Sequence, residues 1–277
     1  MMHSVHSGPR SAQLLSVLIV ATLLTLLTVA SPSAAGGTAF TAENWAGIRA
    51  WEWNHNATWR LPTRVTAQWQ VPCLNPADTR YGAYDQWIGI EGSQGTLIQV
   101  GVRPYHVATG FGVFTGYFAW VVDTRDAAVR TPYQVFTIVR CGFGDTQPIV
   151  NAEVNADGRV QIRVVNNGGV GQSNSYGATW SSITYPETPR FGTFVLERFT
   201  SVATNTLPFF GRAGFQQAWV GSGNSGWYLN TAQDYVRSKP HSMLSLIQGP
   251  FGIRLPAVIT NSPNIYGDFT FDQWFTQ

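Results

Sequence analysis

The chain has 277 residues, of which 12% are charged and 13% aromatic, with 11 Trp, 16 Phe and 10 Tyr; an ordinary soluble domain is roughly 25% charged. That aromatic content excludes disorder over most of the chain, and the missing Ala/Glu/Lys/Leu-rich background excludes a coiled coil. The formal charge is +2, Lys239 is the only lysine and no basic run occurs, so no nucleic-acid partner is indicated.

The chain opens with an apolar run, residues 14–30, behind Arg10 and ahead of Ser31-Pro-Ser-Ala-Ala35. A basic start, an apolar middle and a small-residue exit describe a secretory signal over 1–35, cut after Ala35. The alternative is an uncleaved anchor, for which the run is at the short end of a membrane span. Cleavage removes one arginine and no acid, leaving a charge of +1 and no membrane contact. Residues 36–277 carry no linker and no internal repeat and read as one domain of a secreted, monomeric protein.

In that domain short β-rich runs recur at 64–72, 86–92, 96–102, 116–123, 133–140, 159–165, 193–200, 214–220, 241–247 and 268–275, separated by Gly, Pro and Asn. Runs of this length and spacing predict an all-β sandwich or barrel. Asn155-Ala-Asp-Gly158 is a hairpin signal. Cys73 and Cys141 are the only cysteines, and an oxidising compartment allows them to pair. The three histidines after residue 35 are scattered, without metal-ligand spacing, so no metal and no cofactor is expected.

With no nucleophile motif in a supporting context, the chemistry falls to polar residues set into apolar strands. In Leu97-Ile-Gln-Val-Gly-Val102, Ile98, Val100 and Val102 form one face and Leu97, Gln99 and Gly101 the other. Glu197 likewise shares a face with Val195 and Phe199. By alternation alone, Gln99 and Glu197 could equally belong to the solvated side of a sheet.

Several segments in order resemble the glutamic peptidases, the eqolisin family. They are Asn44-Trp-Ala-Gly47, Trp69-Gln-Val-Pro72, Trp87-Ile-Gly-Ile-Glu-Gly92, Leu97-Ile-Gln-Val-Gly101, Ala119-Trp120, Phe194-Val-Leu-Glu197 and Leu207-Pro-Phe-Phe-Gly211. The resemblance implies a lectin-like (concanavalin A-like) sandwich of two antiparallel sheets and an acid-active endopeptidase acting on polypeptides. Gln99 and Glu197 would be its catalytic pair, and Trp87, Glu91 and Trp120 would line the substrate groove. Three positions depart from the pattern. Glu91 stands where the family has Asp, which could displace a hydrogen bond to the catalytic Gln. Phe118 and Val122 stand where acids commonly flank the cleft Trp. Two other readings stay open: a non-catalytic lectin-like module binding carbohydrate or peptide, and a glycosidase using Glu91 and Glu197 as paired carboxylates.

Overall fold

The computed structural model describes residues 40–42, 45–77, 79, 82–125, 130, 133–138, 141, 147–165, 173–179, 188–198, 211–229, 236–245, 254–261, 263–264 and 266–272. The expected signal at 1–35, Asn44, Phe199 and residues 207–210 lie outside them. The chain divides into two compact units, Met1–Ser33 and Ala34–Gln277, and every described residue belongs to the second.

The described residues form strands and no helix. The strands are β1 (Phe40–Ala42), β2 (Trp45–His55), β3 (Thr58–Arg60), β4 (Arg64–Gln70), β5 (Gly82–Gly92), β6 (Leu97–Thr109), β7 (Gly112–Asp123), β8 (Tyr133–Thr137) and β9 (Ile149–Asn155). There follow β10 (Arg159–Val165), β11 (Ser173–Thr179), β12 (Pro189–Arg198), β13 (Arg212–Ser222), β14 (Ser225–Tyr228), β15 (Val236–Ser245), β16 (Arg254–Asn261) and β17 (Phe269–Asp272). One sheet runs β15-β2-β12-β5-β6-β7-β8, antiparallel throughout. The parallel pairing of β1 with β15 is the exception at its margin. The other sheet runs β14-β13-β4-β9-β10-β11, also antiparallel.

The predicted all-β sandwich of two antiparallel sheets is therefore what forms. Its core lies between the sheets, because period-two alternation turns one side of each strand inward. Ile48, Ile88, Ile90, Val100, Val102, Val121 and Phe194 from the first sheet meet Val65, Trp69, Val150, Val154, Val160, Ile162 and Phe215 from the second in one apolar cluster. Strand β10 shows the pattern plainly: Val160, Ile162 and Val164 are buried while Arg159, Gln161 and Arg163 face water. The Asn155–Gly158 turn does close a hairpin, joining β9 to β10, with Gly158 at φ 94° where a side chain would be strained. Strand β5 differs in being buried on both faces, because a second layer of side chains covers the side turned away from the core.

Cys73 and Cys141 are disulfide-bonded, joining the segment after β4 to the one after β8 across 68 residues of sequence. Cross-linking so long a loop restricts the unfolded chain and contributes about 4 kcal/mol. Replacing both cysteines by serine should therefore leave the far-ultraviolet CD spectrum intact and lower the unfolding free energy in urea by about that amount. An unchanged urea midpoint would show that the bridge does not stabilise the fold.

Candidate active site

Cross-strand partners in an antiparallel pair project from the same face, so the register orders the outer face of the first sheet into rows. Trp45, Glu197 and Asp85 form one row across β2, β12 and β5. Gly47, Val195, Trp87, Gly101 and Trp120 form the next, extending across β6 to β7. Arg49, Thr193, Gly89, Gln99 and Val122 form the third. Phe191, Glu91 and Leu97 form the fourth. All five residues singled out from the sequence thus stand on one face, the one turned away from the core. Trp87, Trp120, Val122 and Val195 pack there as a cluster separate from the core, with Trp45, Leu97 and Phe118 against it.

Glu197 is half-buried, and its Oε2 accepts a hydrogen bond of 3.0 Å from the Trp87 indole Nε1–H. A donor aimed at the carboxylate favours its ionised form and fixes its orientation. Gln99 stands two strands away and two rows along, about 10 Å across and about 13 Å along a flat sheet, with Trp87 between the two. Its carboxamide Oε1 is buried without a hydrogen-bond partner. An unpaired buried acceptor costs about 1–3 kcal/mol, and such a group calls for an explanation, a catalytic role among them.

Two glycines make room for these groups. A Cβ on Gly89 would come within 3.0 Å of Gln99 Cβ and 2.6 Å of the Ile98 carbonyl oxygen. A Cβ on Gly101 would meet Trp87 Cβ at 2.6 Å and the Trp120 ring at 3.0 Å. The bulky side chains of this face can stand side by side because every second neighbour is a glycine. Trp87 and Trp120 are only 6% and 1% exposed. The two expected groove-lining tryptophans are thus packed into this face as a floor.

Glu91 is held bidentately by Arg49, with Nε 3.0 Å from Oε1 and NH2 2.9 Å from Oε2. The Arg49 guanidinium lies 4.9 Å from the Trp45 ring and 5.3 Å from the Phe191 ring. The carboxylate that could have hydrogen-bonded Gln99 thus faces an arginine. Glu91 also lies three rows from Glu197, about 20 Å along the strands. Its carboxylate is also taken up by the two-point Arg49 pair, so the two acids are not arranged as the free carboxyl pair that glycosidase chemistry uses. The carboxylate opposite Glu197 is instead Asp85, buried and paired with Arg103. Asp85, Arg103, Arg49 and Trp45 are the site residues that sequence reasoning missed. The one available signal was Asp85 in step with Trp87, Gly89 and Glu91.

A groove of about 470 Å³ lies on the other sheet, over β4, β9 and β10, lined by residues including Gln68, Asn151 and Gln161. Its Glu153 is tied to Arg64 at 2.7 Å and Asn155 at 2.7 Å, so the groove offers no comparable carboxylate for acid–base chemistry.

Among solved structures the chain is similar to SCP-B, a member of the eqolisin family of peptidases, in a complex with the tripeptide Ala-Ile-His. The identity is 15% and the TM-score 0.51, covering 84% of this chain and 98% of that one. It is also similar to aspergilloglutamic peptidase from Aspergillus niger, at 21% identity and TM-score 0.42, covering 69% of this chain and 99% of that one. No protein-family model and no curated protein matches the sequence. The likeness to the first structure establishes the fold as the eqolisin-type β-sandwich.

Burial raises the pKa of Glu91 above its ordinary 4.5, outweighing the opposing pull of Arg49 and Arg190. A carboxyl group whose pKa is higher folded than unfolded binds its proton more tightly in the native state. Its contribution is therefore complete in acid and is lost as pH rises above the unfolded value. Relative to Glu91→Gln, the wild type should lose stability in urea titrations as the pH is raised through and above the ordinary carboxyl value of 4.5. A relative gain over that range would mean that the Arg49 pair outweighs burial.

Proposed function

We propose that this chain is a secreted, monomeric, acid-active endopeptidase in which Glu197 is the general base and acid and Gln99 the oxyanion donor. The observation that carries the reading is the Trp87 hydrogen bond to Glu197 on the face that also bears Gln99. The eqolisin-type fold supports it, as does the tripeptide bound in the similar SCP-B structure. The apolar run of residues 14–30 behind Arg10, with its small-residue exit, supports export.

Ionised Glu197, oriented through Oε2 by Trp87, takes a proton from a water, and that water attacks the carbonyl carbon of the scissile bond. As the carbonyl oxygen gains charge, the Gln99 carboxamide N–H₂ donates to it. A half-turn about the terminal bond of Gln99 exchanges its O and NH₂, so the buried group can present a donor without moving the backbone. Such a prepositioned dipole is effective because it needs no rearrangement as charge develops. Protonated Glu197 then returns the proton to the leaving amine, and the carboxylate is regenerated. Atoms balance: water adds across the C–N bond, giving a carboxylic acid and an amine. The carbohydrate-binding alternative loses its main support, since Trp87 and Trp120 are packed in the floor and do not present open ring faces for a sugar.

In casein digestion across pH 2–7, the wild type should be active in acid and Glu197→Gln inactive. Gln99→Ala should fall by about 10²–10³ in kcat, the usual cost of one oxyanion donor. Pepstatin, which targets paired aspartates, should not inhibit. Undiminished digestion by Glu197→Gln, or no digestion by the wild type at any pH, overturns the assignment.

A further inference from the structure

Asp85 is the cross-strand partner of Glu197, so the two carboxylates rise from one face of adjacent strands, where directly opposed Cβ atoms lie about 5 Å apart. Two carboxylates in that relation repel when both are ionised and tend to hold one proton between them. A general base coupled in this way would stay protonated over part of the range in which it has to be ionised. The sheet supplies a remedy from the next strand. Arg103 on β6 grips Asp85 in a two-point fork, Nε to Oδ1 at 2.8 Å and NH2 to Oδ2 at 2.6 Å. The side chains of the pair are 10% and 5% exposed. The guanidinium lies 5.5 Å from the Phe118 ring and 6.0 Å from the Trp120 ring, within the cluster that floors the site. Salt and water therefore screen the pair little.

We propose that Arg103 is a positioning residue for the reaction: by neutralising Asp85 it leaves Glu197 to titrate as a single carboxylate. This deepens the function proposed above and rests on it for its catalytic consequence, but not for its electrostatics. The groups that face Glu197 support it. Strand β5 presents Asp85 and the Trp87 indole, and β2 presents Trp45 directly opposite. The charge on that face of β2 is Arg49, two rows away and bound to Glu91. On β12 itself Arg190 lies over the Phe191 ring, in the direction of Glu91. Strand β7 contributes the uncharged Phe118, Trp120 and Val122. Strands β4 and β13 meet the opposite, core side of β12 through Val65, Phe215 and Val220. Among these groups Asp85, with its arginine, is the charge directly opposite Glu197.

The test is a site-resolved carboxyl NMR titration of Glu197 in the full chain, in the wild type, Asp85→Asn, Arg103→Gln and the double variant. Asp85→Asn leaves the guanidinium unopposed and should lower the Glu197 midpoint by about one pH unit. Arg103→Gln leaves the carboxylate unopposed and should raise it by a similar amount, while the double variant should return close to the wild type. The acid limb of kcat/KM should move in the same directions. A merely structural pair would cost stability in both single variants without opposite shifts. If Arg103→Gln does not fold, the lowered midpoint of Asp85→Asn and its restoration in the double variant decide the matter. A Glu197 midpoint that is the same in every folded variant, or moves the same way in both single variants, overturns the inference. Because the titration is read without substrate, a flat result sinks this proposal alone, and an inactive wild type sinks the peptidase reading alone.

Discussion

A strand buried on both faces cannot leave a charge to be solvated by water, and β5 carries two carboxylates under that constraint. One side of it packs Ile88 and Ile90 into the sandwich core, and the other carries Asp85, Trp87, Gly89 and Glu91 beneath the second apolar cluster. An unpaired charge there would cost several kcal/mol, so each acid is bound by an arginine from a neighbouring strand. Arg103 comes from β6 and Arg49 from β2. Glu197, on the strand beside them, accepts a hydrogen bond from the Trp87 indole.

The same constraint changes what the low charge content means. Fifteen acids in 277 residues suggest a protein with little ionic structure to lose in acid. In fact some of these acids are deeply buried. Asp85 pairs with Arg103 and Asp123 with Arg125, both pairs nearly or wholly out of water. Burial raises the pKa of Asp85 and of Glu91 despite their arginines. The Trp120 indole N–H lies near enough to Asp85 to favour its ionised form, though without the geometry of a full hydrogen bond. Carboxyl groups shifted upward favour the folded state when protonated. These two acids therefore do not drive acid unfolding.

Much of the architecture was legible because alternation is a local property. The division of Ile98, Val100 and Val102 from Leu97, Gln99 and Gly101 is the division between core and outer face in the structure. Strand β2 was missed because Ala46, Gly47, Arg49 and Ala50 dilute its β-branched and aromatic character, and it is held by pairing with β12 and β15. Strand β9 was missed because Asn151 and Glu153 interrupt a short run, although Val150, Ala152 and Val154 keep the period. The ion pairs were not legible at all. Asp85 and Arg103 are 18 residues apart and Arg49 and Glu91 are 42 apart. Only the register of the β5–β6 hairpin and the insertion of β12 between β2 and β5 bring them together. The roles of Gly89 and Gly101 were not legible either, since they are defined by Gln99, Trp87 and Trp120, which only the folded sheet sets beside them.

In the proposed mechanism the scissile peptide bond sits over the outer face of the first sheet, between Gln99 and Glu197. A crystal structure with a bound phosphinate peptide, which mimics the tetrahedral intermediate, tests this most directly. One phosphinate oxygen should lie within hydrogen-bond distance of the Gln99 carboxamide and the other against the Glu197 carboxyl. A peptide seated elsewhere, such as the polar groove over β4, β9 and β10, with neither residue touching the phosphorus centre, would contradict it.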